Sequence, residues 1–346
     1  MRRKLLLGLA TAMLAAPAAA QPSSTQGGAP SSVAAVAAVA PPPIVDMDVV
    51  VVSGVQPGPG LWKFHKGDRV LWILGTLSPL PKDITWLSRD MDAAIAQSQL
   101  ALQPPRLSVS ADIGLFGRLS LLPSMLKLRK NPGGAKLQDV LPADLHARWQ
   151  VLKLKYIGRD NSVENWRPLF AASELYRAAL KKSGLDETGI VGPAICKAVE
   201  AAGIETRSTS LPLKVDDPKQ TLKAFNATTL DDVACFRKTL DRLETDLAIM
   251  TTRANAWATG DIDALRALPY EDQHEACLNA LTGSGFSQKL GMDDVQAQMA
   301  EHWYHAVDGA LKEQRVVFTV LPISQLLKAD GVVAKLQAKG FEVEAP

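Results

Sequence analysis

Two hydroxyls stand where an apolar strand ends. Gly75-Thr76-Leu77-Ser78-Pro79-Leu80-Pro81 follows directly on the run Val70 to Leu74. In α/β proteins the turn at the carboxyl end of a sheet strand faces a crevice. Gly75 would allow a close turn there, and Thr76 and Ser78 would offer oxygen atoms. A second candidate is His302 with His305, three residues apart in a helical stretch and therefore on one face, with Glu301 and Asp308 nearby. Imidazole and carboxylate are divalent-metal ligands, so this face admits a weak metal site; the simpler reading is a solvated helix face. Asp216 and Asp217 are a further acidic pair. His274-Glu275 lacks a second histidine four residues on. The chain contains no GxSxG elbow, HExxH, P-loop or strand-following GxGxxG, and its five histidines are scattered.

Elements able to position such residues are legible from periodicity. Leu61 to Phe64 and Arg69 to Leu74 flank Lys66-Gly67-Asp68, the pattern of a hairpin. A helix is expected over Trp86 to Gln99 with Ser88 as N-cap. Three-and-four apolar spacing marks Pro142 to Leu154, Trp166 to Lys182 and Val191 to Ala202, with Gly184 and Gly203 where C-caps belong. Longer helical patterns run from Leu230 to about Trp257 and from Asp293 to Leu311. Strands are expected at Leu211 to Val215, Arg315 to Leu321 and Phe341 to Val343, with a helix over Asp330 to Lys339. The fold class is α/β, a mixed β-sheet flanked by many helices in a single domain.

The first twenty residues read as a signal peptide: Arg2, Arg3 and Lys4, an apolar run from Leu5 to Ala16, then Ala18-Ala19-Ala20 before Gln21. Residues 21–47 form a Pro/Ala/Ser spacer, low in complexity and expected to be disordered. The domain would then occupy 48–346, beginning with the β-branched run Val49 to Val52, in a periplasmic or secreted location. The net charge of +2, less the three cations of the leader, leaves −1, which provides no basic field for nucleic acid. A content of 47% hydrophobic and 21% charged residues fits an ordinary globular core. Cys196, Cys235 and Cys277 form no CxxC pair and are read as small buried hydrophobes in preference to a bridge. Residues 115–136 mix Phe116, Leu119, Leu121, Leu122, Met125, Leu126 and Leu128 with Arg118, Lys127, Arg129 and Lys130. Packing over the core is the favoured reading, and docking on an anionic membrane surface the alternative.

The landmarks fall in a recognisable order. Leu61-Trp62-Lys63, Leu74-Gly75-Thr76, Leu80-Pro81 and Trp86 come first, then Leu141-Pro142, Trp166-Arg167-Pro168, Gly184-Leu185-Asp186 and Gln220 with Phe225. Ala256-Trp257-Ala258-Thr259-Gly260-Asp261 with Ala264-Leu265, Asp330-Gly331 and Gly340-Phe341 complete the series. Over roughly residues 60 to 345 the chain resembles the TraB/GumN family, related to the Tiki metalloproteases. The resemblance implies a helix-flanked α/β fold and a divalent-metal site for hydrolysis. That site is built from two Gly-x-x-His motifs at strand ends and a Glu after the first helix. Here the matching positions read Ser78, Gln103 and Ser324, and Leu321 stands where the second motif has Gly. The family's Arg-Asn in the late helix reads Met299-Ala300. Hydroxyl and amide are weak, uncharged ligands, so the remnant site of Gly75, Thr76, Ser78, Gln103 and Ser324 would not acidify a bound water.

A serine nucleophile at Ser78 or Ser324 would need a base brought by the fold from His65, His274 or His302. The expectation is therefore an exported, non-catalytic protein that binds a peptide, a partner protein or a cell-surface glycan. No resident cofactor is expected. The alternative is a metal-dependent hydrolase with a site rebuilt from His302, His305 or Asp216.

Overall fold

Alternation builds the first two strands. In β1 (Leu61–Lys66) Trp62 and Phe64 are buried, and in β2 (Arg69–Thr76) Leu71 and Ile73 are. Gly67 takes a left-handed φ of 62° between them, and the strands pair antiparallel from Leu61–Leu74 to Lys66–Arg69. The computed structural model describes residues 57–187, 189–245, 247–268, 273–282 and 294–346. The leader, the spacer, the Val49 to Val52 run, Asp293 and the side chains of His274 and Glu275 lie outside the described residues.

The remaining strands are β3 (Leu80–Pro81), β4 (Leu100–Leu102), β5 (Arg106–Ser110), β6 (Leu185–Asp186), β7 (Glu205–Arg207), β8 (Ser210–Lys214), β9 (Val316–Pro322) and β10 (Glu342–Glu344). Four of these join β1 and β2 in one six-stranded sheet of order β10-β1-β2-β9-β4-β7, while β3–β6 and β5–β8 are separate ribbons. The β10–β1 and β1–β2 pairs are antiparallel; β2, β9, β4 and β7 run parallel. The sheet is therefore mixed, as the hairpin and the closing strand–helix–strand pattern imply.

Helices flank it. Met91, Ala94 and Ile95 of helix Arg89–Gln97, Ala254 and Trp257 of helix Leu247–Thr259, and Trp303, Val307 and Ala310 of helix Val295–Glu313 bury into one core with the strands. Helix Val191–Ala202 packs on helix Arg89–Gln97 and ends at Gly203. Helices Ala143–Tyr156, Pro168–Lys182, Val233–Thr245 and Gln273–Thr282 gather in a second region, where Leu169, Leu230, Cys235 and Ala280 cluster. All described residues fall within one compact unit.

Three sequence expectations are corrected. Ser88 precedes its helix, but its hydroxyl donates to Asp92 Oδ2 at 2.7 Å and caps no main-chain amide. Cys235 and Cys277 are not merely buried hydrophobes: they are bonded to each other, and Cys196 is exposed. Their separation of 42 residues hid the pairing; helix packing brings the Cα atoms to 4.5 Å. In the 115–136 segment only one side packs. Helix Leu115–Lys127 buries Leu121, but Phe116, Leu119, Leu122, Met125 and Leu126 stay exposed. Apolar periodicity shows that a face exists and not what covers it.

Candidate functional site

Three strand ends converge on one edge of the sheet. In the β2–β9 register Gly75 lies opposite Leu321 and Thr76 opposite Pro322. On the other side of β9, Leu102 of β4 lies opposite Thr319. The parallel sense makes all three strands exit at the same edge. Ser78 stands two residues beyond β2, Ser324 two beyond β9, and Gln103 directly after β4. The carboxyl ends of parallel strands are where open α/β sheets hold ligands.

Packing explains the glycine. A Cβ on Gly75 would lie 2.8 Å from Trp62 Cζ3 and 3.0 Å from Ile323 Cγ1. Its carbonyl accepts from Trp257 Nε1 at 2.8 Å, and Trp257 in turn stacks edge-on with Trp86 at 5.8 Å. The Gly75 and Trp257 landmarks thus touch across the core. Gly75→Ala is expected to lower stability by about 1–3 kcal/mol, read as a lower urea midpoint, because neither Trp62 nor Ile323 has room to retreat.

The polar groups at this edge are largely committed. Thr76 Oγ1 donates to the Leu321 carbonyl at 3.1 Å, tying the β2 end to β9. Ser78, before a cis peptide bond to Pro79, donates from Oγ to the Glu187 carbonyl at 3.1 Å. Glu187 arrives because β3 pairs with β6 just before it. Gln103 donates its main-chain N–H to the Arg207 carbonyl at 2.9 Å, and its main-chain carbonyl accepts from Thr209 Oγ1 at 2.8 Å. Its side-chain oxygen accepts from the Arg106 guanidinium. Ser324 is half-buried in the first turn of helix Ile323–Leu327.

This donor set does not fit a divalent metal. Thr76, Ser78, Gln103 and Ser324 bring no imidazole or carboxylate, Glu187 meets Ser78 through its main-chain carbonyl, and the Gln103 side-chain oxygen faces a cation. A serine nucleophile fares no better. The Ser78 proton points at a main-chain carbonyl, which is no base. His65 pairs with Val70 at the opposite end of β2 and sits 3.7 Å from both Glu342 and Glu344. Among the described residues no hydrogen bond joins His302 or His305 to Ser78 or Ser324.

The rival groups are dispersed. His302 is half-buried and His305 exposed on helix Val295–Glu313. Nearby Asp308 is held by Lys339 at 2.7 Å. Burial pushes the adjacent Tyr304 hydroxyl up to about 12, with the Glu301 charge adding to it, so that group stays protonated. Asp217 caps helix Pro218–Ala227 by accepting from Gln220 N at 3.0 Å, and Asp216 is exposed after β8. Among the described residues no group of three His, Cys, Asp or Glu stands close enough to share a metal ion. Sequence reasoning missed Glu187 and Arg106. The Gly184-Leu185-Asp186 landmark signals the first through its pairing with Leu80-Pro81; nothing local signals the second.

Beside the Gly75 turn runs a groove of about 530 Å³, lined by Trp72, Trp86, Leu61 and Met91 with Asp90 and Gln97 at its polar margin. Fold and site together define an α/β protein whose parallel strands β2, β4 and β9 end among hydroxyl and amide side chains. A model of the TraB/PrgY/gumN family matches residues 60–345, and the chain belongs to that family. No curated protein and no solved structure matches it.

Proposed function

We propose that this protein is an exported member of its family that has lost the metal-hydrolase site and acts in the cell envelope by binding. The observation that carries this reading is the edge formed by Ser78, Gln103 and Ser324, where hydroxyls and an Arg-engaged amide stand in place of imidazole and carboxylate. Without a strong ligand set no bound water is made acidic, and the inherited hydrolysis has no nucleophile. The crevice and the Trp-lined groove beside it suit an extended peptide, a partner-protein segment or a glycan, which present apolar or ring faces along with hydrogen-bonding groups. Export is supported by the cationic–apolar–small order of the first twenty residues and by the Cys235–Cys277 bridge, a bond that persists in oxidising compartments. No helix among the described residues is long and apolar enough to cross a membrane.

Titration calorimetry with Zn²⁺, Mn²⁺ and Co²⁺ tests the reading. The purified protein is expected to bind none of them tighter than about millimolar, the range left to scattered weak donors. Stoichiometric micromolar binding, abolished by His302→Ala, His305→Ala or Asp216→Ala, would establish the rebuilt hydrolase instead.

A further inference from the structure

We infer that helix Leu115–Lys127 docks the protein onto the surface of an anionic lipid bilayer, a property beyond the binding role proposed for the crevice. The first observation is concentration. Phe116 at 86% exposure, Leu126 at 75%, and Leu119, Leu122 and Met125 at about half make up five of the ten large apolar side chains exposed among the described residues. At 100° per residue Met125, Leu122, Leu126, Leu119 and Phe116 follow one another around a single half of the helix. The opposite side is taken up: Leu121 is buried, and Asn226 Nδ2 of the neighbouring helix donates to the Ser124 carbonyl at 3.0 Å. The helix is thus held to the body along one side and presents on the other a largely apolar half, interrupted in the helical order only by position 118.

Charge selects the occupant. From Ile113 to Gln138 the chain carries Arg118, Lys127, Arg129, Lys130 and Lys136 and no acidic residue. Lys127, Arg129 and Lys130 follow the apolar face at its carboxyl-terminal end and are exposed, Arg129 lying over the Trp166 ring at 5.2 Å. An apolar face with adjacent cations matches acyl chains beneath anionic headgroups: side chains such as Phe116 and Leu126 enter the boundary while lysines meet phosphate. A second copy of the chain would bring the same uncompensated cations to the contact. The helix is far too short to span a bilayer, so the contact is peripheral.

Co-sedimentation of the full chain with vesicles tests this. Phosphatidylcholine vesicles containing about 30 mol% phosphatidylglycerol are expected to pellet the protein, and pure phosphatidylcholine vesicles to do so several-fold less, with the difference shrinking as salt is raised. Phe116→Ser with Leu126→Ser should lower the partition coefficient about a hundredfold, roughly tenfold for each side chain withdrawn from the lipid. Both residues are exposed, so the thermal midpoint should not move; parent and variant share the same N-terminal segment, so their difference reads the helix alone. Lys127→Gln with Lys130→Gln should weaken binding to the anionic vesicles several-fold and leave binding to neutral ones unchanged. Equal pelleting of the Phe116/Leu126 variant and the parent would overturn the proposal. So would sedimentation velocity showing that the parent is a dimer, that the variant is a monomer, and that neither binds vesicles, because a second copy would then cover the face.

Discussion

Arg167→Met is expected to lower folding stability by about 3–5 kcal/mol, the cost of removing one partner from a buried charged network. Arg167 is 1% exposed. Its Nε donates to the Lys130 carbonyl at 3.1 Å, Nη1 to Thr228 at 2.6 Å, and Nη2 to Phe225 at 2.9 Å and Asn226 at 3.3 Å, while the guanidinium lies over the Phe225 ring. Methionine fills much of the volume but leaves those carbonyls without donors. Lysine should rescue little, since a point ammonium cannot reproduce a planar fork. Denaturant unfolding of both variants checks this, and a midpoint within error of the parent would show that water replaces the clamp.

The same network sets a pH dependence. Asp232 accepts from Leu169 N at 2.8 Å, and burial pushes its carboxyl above the ordinary value, against the opposing pull of that bond and of Arg167. A raised folded pKa means that the contribution of this group is complete below the ordinary carboxylate value. It is lost as pH rises through the raised one. Asp232→Asn should flatten stability across that interval, measured as thermal midpoints from acid to neutral pH.

The second large effect concerns the bridge. Reducing Cys235–Cys277, or replacing both cysteines with serine, is expected to cost about 4 kcal/mol from the chain entropy of a loop of this length. The bridge spans 42 residues and joins helices Val233–Thr245 and Gln273–Thr282 within a small apolar cluster, so the serines would also be left in an apolar setting. Cys196→Ser should change nothing, because that thiol is exposed and unbonded. Thermal melts with and without reductant separate the cases: a midpoint indifferent to reductant in the parent, despite complete thiol release, would refute the assigned role.

Much of the frame is legible locally. The Leu61–Arg69 hairpin, the helices beginning near Ala143 and Pro168, and strand Val316–Pro322 follow from alternation, three-and-four spacing and glycine placement, all properties of neighbouring residues. Gly75, Ser78 and Ser324 could be singled out by order of landmarks, but their shared edge depends on β2 pairing with a strand about 240 residues later. The Gln103–Arg106 contact, the arrival of Glu187 at Ser78 and the cysteine pairing are likewise products of packing. Helix Leu115–Lys127 shows the converse limit. Its composition reveals an apolar face, and only the positions of helix Pro218–Ala227 and its neighbours decide that the face is left open.

The strand at the heart of the sheet, β9, is made of residues 316–322 and lies between β2 and β4. A polypeptide emerging amino end first therefore completes β2 and β4 long before their common neighbour exists, from Leu102 to Val316. Order of synthesis and order of assembly cannot coincide: β2 and β4 each wait with one unpaired edge until Val316–Pro322 is made. Premature termination anywhere before Val316 would leave an aggregation-prone half-sheet rather than a shortened but working protein.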